Sequence, residues 1–215
     1  MQLLDLLEAR RQIIPEVRVW QDPEHKNLID GIAIERPEQV WVSDITYIGN
    51  RQNPMYLSLV TDAYSKKIMG FNVSRSLNTS GVIAALKQAA KNRKYPSSNL
   101  IHHSDRGLQY CSNEYQQLLT TNKIYCSMTE SYDPYQNAIA ERVNGILKHE
   151  FILGISVADL NLMSKLITQS INIYNHERPH WSCWMNTPEQ MHSQQTIKIR
   201  SYKTKNSTEE IPDAI

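Results

Sequence analysis

A change of hydrophobic period near Thr79 constrains the fold of this chain more than any other feature. Before it, residues 40–49, 56–64 and 67–74 are dense in β-branched and aromatic side chains, and Gly49, Asn50, Asn53 and Pro54 punctuate the first gap. Runs of this kind read as three consecutive antiparallel strands joined by tight turns. After the change, Val82, Ile83, Ala85, Leu86 and Ala89 recur at helical spacing behind Thr79 or Ser80 as N-cap, and the helix stops before Tyr95 and Pro96. A short strand at 100–102, a helix near 113–121, a strand at 123–127, a polar loop through Asp133 and Pro134, and helices over about 136–153 and 157–174 complete the series. Strands first, then alternating helices and strands, predict an α/β architecture: a mixed five-stranded sheet flanked by helices.

Four parts follow from this order. Residues 1–36 form a short helical segment, with Leu3, Leu4, Leu6, Leu7, Ile13 and Ile14 on an amphipathic opening that ends before Pro15. Residues 37–155 carry the sheet and its helices, 156–195 a further helix and a closing motif, and 196–215 a polar tail of mixed charge, expected to be loosely ordered. No apolar run reaches the roughly 20 residues that span a bilayer, and acids stand in the first residues where a signal peptide is basic. The expected setting is cytoplasmic, with no membrane partner. Three cysteines without a CxxC pair support neither a disulfide framework nor a structural zinc site. With 23 Lys and Arg against 22 Asp and Glu, affinity for nucleic acid has to come from a local patch.

Three acids stand where acids need a reason. Asp44 interrupts the apolar and β-branched run WVSDITYI, Asp105 lies just past the short strand at 100–102, and Glu141 falls one turn into the helix that begins near Gln136. A carboxylate buried in a sheet costs several kcal/mol unless it is paired or bound to metal. If a strand adjacent to the first carries Asp105 at its carboxyl end, Asp105 lies close to Asp44, where α/β sheets bind their ligands. Three carboxylates in one crevice repel each other, and a hard divalent cation relieves that repulsion. Mg²⁺, or Mn²⁺ in its place, suits oxygen ligands and phosphate substrates, and two such ions serve an in-line displacement.

The spacing is specific. Residues 45–104, 60 in number, separate Asp44 from Asp105, and residues 106–140, 35 in number, separate Asp105 from Glu141. With VWVSDITYI around Asp44, HHSDRGLQY around Asp105, and NAIAERVN running on to LKHE around Glu141, the chain resembles the DDE transposases and retroviral integrases, most closely insertion-sequence transposases of the IS-three type. The closing words YNHERPH at 174–180 and TPE at 187–189 match the same family, and the resemblance covers about residues 37–192. It implies a ribonuclease H-like core at 37–155. It also implies a metal-dependent polynucleotidyl transferase in which Asp44, Asp105 and Glu141 are both catalytic and metal-holding. Such an enzyme cleaves a strand at a transposon end, and the freed 3′-hydroxyl attacks a second phosphodiester.

The implied partners are the inverted-repeat ends and the target DNA, in a bacterial cell and at its nucleoid when bound. A homo-oligomer is expected for joining two ends, and an upstream-frame helix-turn-helix protein is a further possible partner. By resemblance Lys148 contacts the transposon end. It shares a face with Asn137, Glu141 and Asn144 at i, i+4, i+7 and i+11, opposite an apolar side of Ile139, Val143, Ile146, Leu147 and Ile152. Asn137, Asn144 and, in the closing motif, Arg178 and His180 complete the expected DNA contacts. The amino-terminal segment is shorter than the family's, which leaves an inactive or truncated DNA-binding remnant as one alternative and a ribonuclease H-like nuclease as the other.

Other signals are weaker. His103, Ser104 and Asp105 are neighbours on a strand, which points alternate residues to opposite faces and so rules out a Ser/His/Asp triad. Pro179 breaks the alignment of His176, His180 and Cys183 that zinc would need. Asp62 reads as structural. His102 and His103 either shape the crevice or carry a substrate proton, or they pack. Tyr132, Tyr135, Trp181 and Trp184 are candidates for stacking on bases, although burial is the expectation for the two tryptophans. The motif HWSCW at 180–184 departs from the smaller, apolar residues of the family.

Overall fold

A computed structural model describes residues 26–50, 52–129, 137–151 and 157–194. The opening amphipathic helix, the loop with Tyr132 and Tyr135, and the tail from 196 lie outside the described residues. In chain order the elements are β1 (Val40–Gly49), β2 (Pro54–Asp62), β3 (Ile68–Ser74), α1 (Thr79–Lys91), β4 (Leu100–Ser104), α2 (Asn113–Thr121) and β5 (Ile124–Met128). Next come α3 (Ala138–Ile146), a π turn (Leu147–Phe151), α4 (Leu160–His176), a 3₁₀ turn (Trp181–Cys183) and α5 (Pro188–Ser193). The five strands form one sheet in the order β3-β2-β1-β4-β5, with β1–β2 and β2–β3 antiparallel and β1–β4 and β4–β5 parallel. This is the ribonuclease H-like arrangement.

Local chemistry sets the strand turns and helix ends. Gly49 turns β1 into β2 at φ 82°, and a Cβ there would stand 2.7 Å from the Asn53 carbonyl oxygen. The Asn50 side chain accepts from the backbone of Gln52 and Asn53, closing the turn. Gly70 lets β3 lie directly on α1, since a Cβ there would come within 2.1 Å of the Ala85 carbonyl oxygen. The N-cap of α1 is Asn78, one residue before the expected Thr79, and makes no side-chain cap bond. Ser112 caps α2, Asp159 caps α4, and Thr187 with Gln190 forms a capping box on α5, where Pro188 opens the first turn.

Helices cover both faces of the sheet. On one face α1 and α2 bring Val82, Leu86, Tyr115 and Leu119 against Trp41, Val60, Met69, Leu100 and Ile124. On the other, α3 and α4 bring Val143, Ile146, Met163, Ile167 and Tyr174 against Ile48, Met55, Leu57 and Leu59. Each large side chain fully buried here contributes roughly 1.5–3 kcal/mol. The helix expected over 136–153 is thus α3 running into a π turn, and α4 continues two residues past the expected Tyr174. Among the described residues no helix is long and apolar enough to cross a membrane.

A buried ionic clasp closes the sheet at the start of β1. Glu38, fully buried and at φ 53°, accepts from the backbone N–H of Lys94 at 2.6 Å and of Tyr95 at 3.1 Å, and from Arg93 Nε at 3.1 Å. His192 of α5 lies between two acids, its Nε2 3.4 Å from Glu38 Oε1 and its Nδ1 3.8 Å from Asp62 Oδ1. Asp62 accepts in turn from the Glu38 and Ser65 backbones. Burial alone would raise the Glu38 pKa, but the bonds from His192, Lys94, Arg93 and Tyr95 hold it below its ordinary value. His192 is raised, because bonds to Asp62 and Glu38 outweigh its burial. Asp62 takes part in this clasp as a structural acid, and the clasp fastens the closing motif to the sheet.

Candidate active site

Asp44 sits in the middle of β1 on the face that α3 covers. The two residues before it on that face, Val40 and Val42, pack against Ala140 and Ile139, and strand alternation places Asp44 next in the row. The parallel register pairs Val42 with His103, so two residues further on β1 and the end of β4 bring Asp44 level with Asp105. Asp105 is exposed, and its Oδ1 accepts from the Gly107 N–H at 3.0 Å.

Helix α3 is fastened to β1 on both sides of Glu141. Asn137, the residue before the helix, donates from Nδ2 to the Ser43 carbonyl oxygen at 3.2 Å, and Asn144 donates from Nδ2 to Asp44 Oδ2 at 2.6 Å. Glu141 lies four residues after one and three before the other, on the same helix face. It is exposed at the mouth between them. Asp44 Oδ1 accepts from the Ile45 N–H at 2.8 Å.

The charges of Asp105 and Glu141 both act on Asp44. Burial first, then the Asp105 charge and more weakly that of Glu141, push the Asp44 pKa up to about 6, against the bonds from Ile45 and Asn144. Among the described residues no group of three or more His, Cys, Asp or Glu side chains converges as metal ligands. Neutral donors take both Asp44 oxygens. The donor set nevertheless fits a hard divalent cation, since it consists of carboxylate oxygens. Asn144 Oδ1, on the amide that touches Asp44, is buried and has no hydrogen-bond partner among the described residues. It leaves an oxygen acceptor where a cation or its hydration water would need one.

The face opposite Asp44 is packed with polar groups. His102 Nε2 lies 2.7 Å from Ser43 Oγ and 2.8 Å from the Tyr115 hydroxyl, and all three residues are buried. Burial and the neighbouring His103 push the His102 pKa down to about 3, so it is a neutral packing group. His103 Nδ1 lies 2.9 Å from Ser127 Oγ across β5, away from Ser104. A packing role therefore holds for His102, and the triad reading has no geometry behind it.

The expected DNA contacts are differently disposed. Asn137 and Asn144 are buried, so at these two positions the helix face assigned to DNA turns inward onto β1. The expectation erred because both faces of the helix carry polar side chains, and sequence spacing does not say which of them meets the sheet. His180 is also buried, its Nδ1 2.9 Å from Ser182 Oγ. Burial, then the charges of Arg178, Lys66 and Arg142, lower the His180 pKa to about 4. Arg178 is held by Glu150, through Nε and Nη2 at 2.6 Å each. Lys148 is half-buried in the π turn that follows α3. His176 bonds its own helix and Cys183 bonds the Ser65 carbonyl, so the zinc alignment is absent there.

Trp181 is 78% exposed and Trp184 42%, against the expectation of burial. Cys183, fully buried, takes the inward place in the turn. The sequence reading missed the partnership of Asn144 with Asp44, and its signal was an amide one turn beyond the acid. It also missed the role of Glu38, which nothing in its sequence neighbourhood distinguishes from a surface acid.

Two models of the integrase core domain match the chain, over residues 34–134 and 122–188. The chain is 40% identical over 118 residues to the transposase for insertion sequence element IS629 of Shigella sonnei, covering 55% of this chain and 39% of that protein. It is 33% identical over 190 residues to transposase InsF for insertion sequence IS3fB of Escherichia coli K12, covering 87% and 66%. It thus spans about half the length of the transposases it matches. Among solved structures, the HTLV-2 integrase catalytic core domain in complex with magnesium is similar in fold. Its TM-score is 0.57 at 21% identity, over 73% of this chain and 97% of that one.

Proposed function

The chain belongs to the integrase core family, on the branch of IS3-type insertion-sequence transposases, and on that premise we propose that it is a metal-dependent polynucleotidyl transferase acting on DNA. The observation that carries the reading is the double fastening of α3 to β1 by Asn137 and Asn144, which brackets Glu141 beside Asp44 while the β4 register brings up Asp105. Asp44, Asp105 and Glu141 would hold one or two divalent cations, Mg²⁺ or Mn²⁺. Bound there, the cations would polarise a phosphodiester and activate the attacking water or 3′-hydroxyl.

The chain's own residues have other tasks. Asn144 orients the Asp44 carboxylate through Nδ2, and its own Oδ1 is left to meet a ligand. The Gly107 N–H orients Asp105. The packed group of Ser43, His102 and Tyr115 stiffens β1 behind Asp44, so that the carboxylate is presented from a rigid strand. Lys148, and Arg178 if it exchanges Glu150 for a phosphate, would serve the DNA backbone. Joining two DNA ends calls for two or more copies.

The test uses the purified chain and a labelled duplex carrying the element's terminal inverted repeat, with Mg²⁺, Mn²⁺ or EDTA. Strand cleavage and strand-transfer products are expected with either metal and not with EDTA. Asp44→Asn, Asp105→Asn and Glu141→Gln should each lower cleavage by a factor of about 10³ or more, with the circular dichroism spectrum unchanged. Cleavage retained by one variant would remove that residue from the site. Faster cleavage of an RNA–DNA hybrid than of the duplex would overturn the DNA reading.

A further inference from the structure

The turn after α4 presents two tryptophans to solvent from a rigid frame. Trp181 opens a 3₁₀ turn, Trp181–Cys183, and Trp184 follows it as the C-cap in a left-handed conformation. Trp181 is 78% exposed, and Met185 beside them is exposed as well. The frame is closed by backbone bonds from His180 N to Asn186 O, Cys183 N to His180 O, Trp184 N to Trp181 O and Met185 N to His180 O, all between 3.0 and 3.1 Å. It is anchored inward by Cys183 Sγ on the Ser65 carbonyl oxygen at 3.3 Å. Trp184 and Met185 sit at φ 50° and 64°, a conformation side chains rarely adopt, so the turn holds a shape that loose packing would not impose.

Charge decides what such a platform fits. The His180 ring, at the base of the turn, lies within the field of Arg178, Lys66 and Arg142, opposed by Glu150, which pairs with Arg178. Arg142 is exposed on α3 and follows Glu141 directly. Flat aromatic faces among cations favour a polyanion with π-faces over a second copy of this chain, whose interface core would be depleted of charge.

We propose that the 180–186 turn is a stacking platform for an unpaired base of the DNA substrate, with Trp181 as the stacking face and Arg142 and Arg178 beside the adjoining phosphate. The proposal rests on the reading of this chain as a DNA-processing protein. Its test is made in EDTA, so that a chain that binds without cleaving would defeat that reading and leave this one standing.

The experiment measures fluorescence anisotropy of a fluorescein-labelled oligothymidylate and of a labelled blunt duplex, each titrated with the full chain. Trp181→Ala should weaken oligothymidylate binding about tenfold, Trp181→Phe should restore most of it, and duplex binding should change less than about twofold in either. Equal affinity of Trp181→Ala and the parent chain for oligothymidylate would overturn the proposal. So would an equal loss on both probes, which would mark a backbone contact. A fall in self-association by light scattering with DNA binding unchanged would assign the platform to a second copy and overturn it too.

Discussion

Two acids six residues apart, one at the entrance to a strand and one in its middle, are treated in opposite ways. Glu38 stands just before β1 and Asp44 lies inside it, six residues on, about 20 Å along an extended chain. For Glu38 the fold supplies its own counter-charges and donors: Arg93, His192 and two backbone N–H groups. For Asp44 it supplies two neutral donors and then adds two more carboxylates nearby. The first carboxyl is held below its ordinary pKa and the second is pushed up to about 6. An acid neutralised from within belongs to the scaffold, whereas one surrounded by further acids is completed from outside.

The largest effect should come from breaking the neutralised acid. Glu38→Gln removes the charge facing Arg93 and His192 and leaves the buried Arg93 guanidinium without it. A cost of about 3–5 kcal/mol is expected, read by urea denaturation at neutral pH. A cost below about 1 kcal/mol would mean that the clasp holds nothing, and the contrast between the two acids would collapse.

The same acid-to-amide change at the other acid should carry the opposite sign. Because folding raises the Asp44 pKa from 3.8 to about 6, the folded chain binds that proton more tightly than the unfolded one. Its contribution to stability is therefore fully present below about pH 3.8 and lost as pH rises through about 6. Asp44→Asn should stabilise the chain in EDTA by up to about 3 kcal/mol above that window, since a tenfold change in proton affinity is worth about 1.4 kcal/mol. The gain should fade as the pH falls toward 4. Added Mg²⁺ should stabilise the parent chain and not the variant, by mass action on the folded state. A loss of stability on Asp44→Asn at pH 8 would show that its hydrogen bonds outweigh the repulsion.

How much of this was legible beforehand depends on the range of the interaction. The strands, α1 and α2 follow from local periodicity, and the helix expected near 113–121 is found at Asn113–Thr121. Asp44 stood out because a strand interior has no local use for a carboxylate, and the spacing of the three acids pointed to one crevice. Glu38 did not stand out. Its partners are 55–57 residues away at Arg93–Tyr95 and far beyond at His192, and a glutamate at positive φ reads like any other glutamate. Asn137 and Asn144 were placed on the correct face of the helix but given the wrong neighbour, because a wheel of side chains does not say where the sheet lies. Trp181 was exposed by a small cysteine that filled the inner position of its turn, which depends on packing between segments that are distant in sequence.

A third acid tests whether burial is the variable that separates the first two. Glu150 meets Arg178 in the same bidentate chemistry that makes a strong pair, yet its side chain is 45% exposed, against full burial at Glu38. The bond from Arg178 lowers the Glu150 pKa, as the clasp lowers that of Glu38. Water and salt screen an exposed pair, and ordering two long side chains offsets much of what remains. Arg178→Ala should therefore cost under about 1 kcal/mol in thermal unfolding, and the cost should shrink further at 1 M salt, where screening acts within about 3 Å. If Arg178→Ala instead costs as much as Glu38→Gln, partner geometry rather than burial sets the strength of these pairs. The raised Asp44 would then owe its pKa chiefly to Asp105 and Glu141, and substituting those two acids with amides should bring it back toward 3.8.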